Sequence, residues 1–580
     1  MADPLHLIAG TLRDAFAAVT SLPAADIDPV VRPSDRADAQ ANGALALAKA
    51  LGRNPRELAQ AVADTGMLAA SCSAVEVAGP GFINLTFTPE FLSAALLEAS
   101  ASDRLAVRLA DSPETAVVDY SAPNVAKEMH VGHLRTTVIG DSLVRLLEFV
   151  GHRVIRENHI GDWGTPFGML IEHLTDLGEE EAVSSLSIGD LDAFYRAARA
   201  KFDADDAFKE RSRLRVVALQ SGDPETRRLW TILVDHSVVY FSEVYATLDV
   251  TLTPDDAVGE SYYNEMLGDV VTDLRSAGLA VDSDGAWCVF PEGFTNREGE
   301  PLPLIVQKRD EGFGYAATDL AAVRDRVGHL RADDILYVVG TPQAQHFAMI
   351  FAVARAAGWL PDSVRAEHVG FGNVLGPDRK MFKTRAGGTV KLIGLLDEAV
   401  ERAEAALRDR SDALSDDERR ALAGEIARAA IKYADLSQNR TTDYVFSFDK
   451  MLQLTGNTAA YMQYAVARVE GIFGRAGIDR EQLRATTTSV RLADPRERVL
   501  ALELARFAEA LEDVEADYRP NLLTAYLYDL AGCYSSFYDA LPVLKAEGED
   551  RASRLALCDL TGRILRQGLS LLGIGTVEKM

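Results

Sequence analysis

Apolar residues along the chain keep changing their spacing, and the changes mark out its elements. Helical spacing over residues 5–19 and 39–51 predicts two helices. The compact runs 74–77 and 82–87 predict strands, the second introduced by the turn Gly79-Pro80-Gly81. Asp111-Ser112-Pro113 reads as a linker, after which the pattern turns to strand, loop, helix, strand. Residues 116–120 form a buried-type strand, and Leu134, Val138, Leu143, Leu146, Leu147 and Val150 recur close to a helical period. Gly151 supplies a helix stop, and Val154-Ile155 opens the next strand.

Residues 178–250 are charged and helical, with apolar anchors at Tyr195, Phe202 and Phe208, which reads as an insertion. The α/β pattern returns at Leu304-Ile305-Val306. It passes the turn Asp310-Glu311-Gly312 and a candidate helix cap at Thr318-Asp319, then reaches a buried-type strand at 335–339 and a helix ending at Gly358. A glycine-rich basic loop spans 376–391. Beyond it nearly everything is helical, with capping-box spacing from Ser415 to Glu418 and a helix start at Asp494-Pro495. The expected architecture is α/β with flanking units. An α+β N-terminal domain covers 1–110. A Rossmann-like doubly wound parallel-sheet domain covers 111–391, with a helical insertion around 175–290, and an all-α bundle covers 392–580.

Composition refines this only slightly. At 580 residues, 48% of them hydrophobic, the chain can fill several separate cores. Cys72, Cys288, Cys533 and Cys558 are scattered, which disfavours a disulfide framework or a cysteine zinc site and fits a reducing cytoplasm. The first residues lack a basic leader, and no run of about 18 apolar residues occurs, so neither a secretory signal nor a membrane span is expected. A formal charge of -27 speaks against a nucleic-acid partner when taken alone. Such binding depends on local basic patches, however, and not on the net balance.

Candidate chemistry concentrates in two loops. The first is SAPNVAKEMHVGHLR, residues 121–135, where His130, Gly132 and His133 fall at a loop-to-helix corner. A helix start presents unpaired N–H groups that suit a phosphate, imidazoles add donors, and the glycine allows close approach. Lys127 and Asn124 add a cation and an amide. Read structurally, the two histidines are only helix caps. The second loop is GPDRKMFKTRAGG, where Lys380 and Lys383 flank Met381-Phe382. It suits a flap that closes over polyphosphate, or is an ordinary solvated loop. Together the two supply both ends of a triphosphate site, with His130, His133, Lys380 and Lys383 as the candidate catalytic groups.

H-x-G-H after a first strand and K-M-x-K after a last one resemble the signatures of class I aminoacyl-tRNA synthetases. ENHIGDWGTPFGMLIEHL, FKTRAGGTVKL, DYVFSFDKMLQLTGNTAAYMQYAVAR and the terminal SLLGIGTVEKM narrow the resemblance to the arginyl-tRNA synthetase family, over nearly the full chain. The resemblance implies an arginine–tRNA ligase that uses ATP and Mg2+, forms arginyl-adenylate, and transfers arginine to the 2′-hydroxyl of the terminal adenosine of its tRNA. It also implies a monomer in which arginine activation needs bound tRNA. A tRNA-binding paralogue without activity is the alternative.

The resemblance further assigns residues. Lys127, His130, Gly132, His133, Lys380, Met381, Phe382 and Lys383 fall at ATP positions. Asp119, Ser121, Asn124, His133, Tyr315, Asp319 and Gln343 fall at arginine positions, although Asp119 stands where the family usually has glutamate and Ala122 where it often has serine. Asp319 is also readable as a helix N-cap. Phe82 and Asn84 are candidates for stacking on and bonding a splayed tRNA base; a core phenylalanine and a turn asparagine are the other reading. Tyr461, Tyr464 and Arg468 share one helix face, where they either stack anticodon bases or fill a core. No protein metal site is expected, because ATP oxygens supply most Mg2+ ligands.

Overall fold

The computed structural model describes residues 4–34, 36–181, 191–309, 312–380, 382, 390–408 and 415–577. The chain forms two compact units. One contains residues 1–109, 453–570 and 575–580; the other contains 110–452 and 571–574.

The first unit holds an antiparallel sheet of β1 (Val31–Pro33), β2 (Ala39–Ala41), β3 (Cys72–Ala78) and β4 (Phe82–Phe87), in the order β1-β2-β4-β3. Residues 39–41, expected to begin a helix, are instead a strand. Ala39 and Ala41 are buried and pair with Leu85 and Ile83, and the helix starts only at Gly43. An alanine-rich stretch hides its period of two, because alanine suits either pattern. The sheet buries Ile83, Leu85 and Phe87 in one cluster with Ile8, Leu12 and Phe16 of the helix Pro4–Thr20. The terminal helices belong to the same unit. Arg563 donates to the carbonyls of Ser100 and Ser102, each at 2.6 Å, and Arg498 pairs with Asp38.

The second unit is built on β5 (Thr115–Asp119) and β6 (Arg153–Glu157). An antiparallel sheet of β7 (Ala280–Ser283), β8 (Ala286–Val289) and β9 (Leu304–Gln307) follows the insertion. Leu304-Ile305-Val306 therefore joins this small sheet and not the parallel one. β10 (Asp334–Tyr337) and β11 (Arg365–His368) complete a parallel sheet in the order β11-β10-β5-β6. The chain leaves β5 toward β6 on one side, while β10 lies on the other. The loops after β5 and β10 thus diverge at a switch point, which is where open α/β sheets place ligands. β12 (Val374–Leu375) and β13 (Tyr444–Val445) pair in parallel beyond it.

The helices Leu392–Arg408 and Asp416–Leu436 group with this unit, so the compact units part at 452/453 and not at the expected 391/392. A buried ion pair shows why. Arg135, in the helix Val131–Val150, reaches Asp435 at 3.2 Å with both side chains sealed from solvent. The capping box expected at Ser415–Glu418 forms, and Asp494 caps the helix Pro495–Ala505 as expected, with Glu497 completing a capping box there as well.

Candidate active site

The helix Val131–Val150 begins at His130 and ends where Gly151 takes a left-handed φ of 104°. Its start is a reciprocal clasp. His133 Nδ1 accepts the backbone N–H of His130, and His130 Nδ1 accepts that of Gly132, both at 3.0 Å. The ring centroids lie 4.0 Å apart. A neutral imidazole that accepts at Nδ1 carries its proton on Nε2, so each ring keeps one donor at its far end. Burial lowers the pKa of both rings. That of His133 falls to about 3, helped by His130 and Lys127, so the pair stays neutral near pH 7.

The expectation that unpaired amides at this helix start would meet a phosphate does not hold. The N–H groups of Val131, Gly132 and His133 are taken by the Val390 carbonyl, His130 Nδ1 and the His130 carbonyl. The available donors are therefore the imidazoles. Gly132 has a sharper role than open approach, because a Cβ there would stand 2.7 Å from His130 Cε1 and 2.8 Å from its Nδ1.

The loop before the corner is strained. Ser121, Ala122 and Ala126 hold φ of 72°, 48° and 58°, a region that residues with a Cβ seldom occupy. Ser121 is buried, with its hydroxyl 2.7 Å from Tyr245 Oη. Asn124 is exposed and pairs with Gly161, where a Cβ would approach Asn124 Oδ1 to 2.5 Å. Lys127 Nζ lies 4.7 Å over the Tyr195 ring of the insertion.

The lysine loop starts at β12. The Gly376 N–H donates to the Lys380 carbonyl at 2.8 Å, and Arg379 takes a φ of 59°, a tight turn that leaves Lys380 exposed. Phe382 stacks on Phe446 with centroids 5.2 Å apart. Met381 and Lys383 lie outside the described residues. The far end of the loop returns to the histidine corner: His130 and Lys391 form an antiparallel bridge, and Lys391 Nζ meets Glu128 at 2.7 Å. Arg135 ties the same helix to the approach to β12 and β13, donating to the carbonyls of Gly372 and Thr442 at 2.8 and 3.0 Å. The two signature segments are thus joined by backbone and by a buried arginine.

The candidate amino-acid pocket gathers around the helix Tyr315–Gly328. This helix starts after Gly314, so Asp319 is not a cap but stands in its second turn. Thr318-Asp319 read as a cap because no polar residue nearer the true start offers itself. Asp319 Oδ2 instead meets His346 Nε2 at 2.5 Å. Tyr315, the first helical residue, is exposed, as is Gln343 at the end of a short 3-10 turn after β10. Asp119 is buried beneath, its Oδ2 bonded to Arg326 at 2.7 Å, while Arg326 Nε takes Glu157 at 2.6 Å. Asp119 therefore enters the site as one of two carboxylates neutralising a buried guanidinium.

Sequence reasoning missed Glu260. It opens the short helix Glu260–Met266, and burial, with the nearby charges of Asp162 and Asp319, raises its pKa to about 8. Asp162 is fixed by Ser261, whose N–H and hydroxyl donate at 2.9 and 2.6 Å. A carboxyl pushed up by burial and by neighbouring carboxylates marks a place where a cation is wanted. Nothing in the spacing GESYY points to it.

In the other unit, Phe82 is half-buried against the Gly79 turn. Asn84 is not a turn residue. It lies within β4, buried, and its Oδ1 accepts Gln40 Nε2 at 2.7 Å. The helix Ala459–Ala476 buries Met462, Gln463, Val466, Val469 and Phe473, which leaves Tyr461, Tyr464 and Arg468 on another face. The Arg468 guanidinium lies over the rings of Tyr464 and Tyr538, at 4.8 and 4.9 Å. Tyr464 is exposed while Tyr461 and Arg468 are half-buried, so the stripe lies at the edge of the bundle and outside its core.

Comparison with known proteins supplies a context for this geometry. Residues 95–448 match the family described as tRNA synthetases class I (R), catalytic domain. Residues 5–87 match the Arginyl tRNA synthetase N terminal domain, and residues 462–580 the DALR anticodon binding domain. The chain is similar to the arginine–tRNA ligase of Thermobifida fusca (strain YX), 52% identical over 581 residues covering 100% of both chains. It is 51% identical to that of Escherichia coli (strain K12 / DH10B) over 560 residues, 96% of each. The fold is similar to the crystal structure of arginyl-tRNA synthetase from Plasmodium falciparum, with a TM-score of 0.85 and 28% identity over 100% of both chains. The Thermus thermophilus arginyl-tRNA synthetase gives a TM-score of 0.80 at 24% identity, covering 99% of this chain and 100% of the other.

Proposed function

Because the chain belongs to the arginyl-tRNA synthetase family and is an arginine–tRNA ligase that binds ATP, arginine and tRNA, we propose how its own residues carry out the reaction. The arginine carboxylate attacks the α-phosphorus of ATP and pyrophosphate leaves. The 2′-hydroxyl of the tRNA's terminal adenosine then takes the arginyl group. The observation that carries this reading is the histidine clasp. With both Nδ1 atoms occupied by backbone N–H groups, His130 and His133 can serve only as Nε2–H donors, and they do so as neutral rings. Fixed donors of this kind stabilise charge that builds on phosphate oxygens without reorganising. Lys380 and Lys383 act on the departing pyrophosphate, Met381 and Phe382 of the same signature belong to the ATP site, and Gly132 and Lys127 border the nucleotide.

Arginine is held by its guanidinium against Asp319 and Glu260, with Tyr315 and Gln343 at the rim, and by its α-amino end near Asn124, Ser121 and Asp119. Paired carboxylates suit a planar guanidinium. Ligands that cannot match them leave buried charge unpaired, a mismatch that discriminates by about 10⁴–10⁵ without an editing step. Tyr461, Tyr464 and Arg468 offer stacking surfaces to unpaired tRNA bases, and Phe82 offers another; Asn84 contributes through the strand that carries Phe82.

Among the described residues no group of three or more His, Cys, Asp or Glu could hold a metal ion. Mg2+ entering with ATP would take most of its ligands from phosphate oxygens and water, as a hard cation that keeps its waters does. We take the chain to act in the cytoplasm as a monomer, on the strength of its family and of four free cysteines. Among the described residues no helix is long and apolar enough to cross a membrane. A paralogue without activity would have been free to lose the two histidines and two lysines, and all four stand in the sequence. Charging of tRNA with arginine, tested beside lysine and citrulline, decides the reading. Equal charging by lysine would contradict the pocket.

A further inference from the structure

The insertion helix Pro224–Leu248 lies along the strained loop, and four of its side chains bond to that loop or to the segment after β6. Trp230 Nε1 donates to the Asp162 carbonyl at 2.7 Å. Ser237 Oγ accepts the Ala126 N–H at 3.0 Å, and Tyr240 Oη accepts the Met129 N–H at 3.2 Å. Tyr245 Oη meets Ser121 Oγ at 2.7 Å and accepts Asn158 Nδ2 at 3.0 Å. At 3.6 residues per turn, these four positions fall within about 140° of the helix circumference. One face of the insertion helix thus reads the course of the loop.

The contacts fall where the backbone most needs them. The amides of all three left-handed residues are caught by side chains. Ser121 N–H goes to Thr136, Ala122 N–H to Asn158 and Ala126 N–H to Ser237, each at 3.0 Å. Asn158 is in turn held by Tyr245. Ser237 donates its own proton to the Leu233 carbonyl at 2.7 Å, so a lone pair faces Ala126. Backbone in these regions persists only when its surroundings over-determine it, and such strain collects at functional loops. A further line of contacts runs from Tyr245 through Ser121 to Thr137, 3.0 Å away, whose hydroxyl meets the His133 carbonyl at 2.7 Å.

We propose that Ser237, Tyr240 and Tyr245 are positioning residues, through which the insertion helix holds residues 121–130 in the course that presents Asn124, Lys127 and His130 to substrate. None of the three touches substrate. The proposal rests on the reading of this loop as the ATP and arginine site, and it makes the insertion part of the catalytic machinery.

The test uses the full chain with Ser237→Ala and Tyr240→Phe, measuring amide hydrogen exchange of the peptide covering 121–131 together with arginine-dependent, tRNA-supported ATP–pyrophosphate exchange. Losing one such hydrogen bond should lower kcat about five- to tenfold. KM should stay within about twofold, and the melting temperature within about 2 °C. The amides of 121–131 should exchange faster than in the wild type. Unchanged protection overturns the proposal, as does lost protection with unchanged kcat. A fall in kcat matched by loss of stability in the whole chain also overturns it, since that is all a structural role would produce. Should Ser237→Ala fail to fold, Tyr240→Phe at the half-exposed position decides alone. If the wild type fails to activate arginine, the functional reading falls, and the amide measurement still judges the positioning.

Discussion

His133 Nδ1 accepts the backbone N–H of His130 at 3.0 Å, so the second histidine of the corner fixes the backbone on which the first is carried. The pair is a helix cap and, in the proposed mechanism, a donor site, and the two roles separate by substitution. His133→Asn keeps a side-chain acceptor and removes the Nε2 donor. It should lower kcat about 10²–10³-fold with little change in melting temperature. His133→Ala removes the acceptor too, and should cost a further ~1 kcal/mol of stability in urea unfolding. Equal stability for the two variants would mean that the cap contributes nothing.

Gly132→Ala tests the clasp from the other side. A methyl group within 2.8 Å of the His130 ring has no room unless the ring or helix start moves. Overpacking of this kind costs about 1–3 kcal/mol. Here it should appear chiefly as a fall in kcat, because the displaced ring is the one proposed to donate a hydrogen bond to phosphate.

Arginine binding should depend on pH through Glu260. Its pKa of about 8 means that the carboxyl is protonated over much of the neutral range, whereas a guanidinium is best paired by the anion. Affinity for arginine should therefore rise, and KM fall, as pH increases to about 8, and then level off. Binding at pH 7 should release a proton, measurable by calorimetry in buffers of different ionisation enthalpy. Glu260→Gln should weaken binding and abolish both the pH dependence and the proton release.

Asp119 is predicted to matter more for the fold than a contact at the pocket wall would. Arg326 is fully buried and shared between Asp119 and Glu157. Asp119→Ala leaves that guanidinium with one carboxylate, and breaking a buried pair costs about 3–5 kcal/mol. Urea unfolding should show most of this loss. A variant of wild-type stability with weakened arginine binding would assign Asp119 to substrate alone.

Tyr464→Ala should weaken tRNA binding by about 1–3 kcal/mol, the usual contribution of a stacked base, and leave arginine and ATP binding unchanged. The residue is 39% exposed, so folding stability should hardly move.

Much of this was legible in the chain itself, for local reasons. The corner His130-Val131-Gly132-His133 and the helix after it are set by spacing and by the stop at Gly151, so their place could be read directly. Residues 39–41 could not, because alanine carries no periodicity. Asp319 read as a cap because the helix starts on Gly314, which offers no side chain to recognise. Arg135, Arg326 and Glu260 were invisible for a different reason. Each acts through partners that are distant in sequence, Asp435, Asp119 and Asp162, and only the fold brings them together. The same holds for Ser237, Tyr240 and Tyr245, which in the sequence are unremarkable positions on a charged helix.

The central claim is that the histidine corner and the carboxylate pocket together activate arginine. It is tested most directly by ATP–pyrophosphate exchange with each amino acid in turn, with and without tRNA. The account predicts exchange with arginine, supported by its tRNA, and none above background with lysine or citrulline. Absence of exchange with arginine in the presence of tRNA would contradict it.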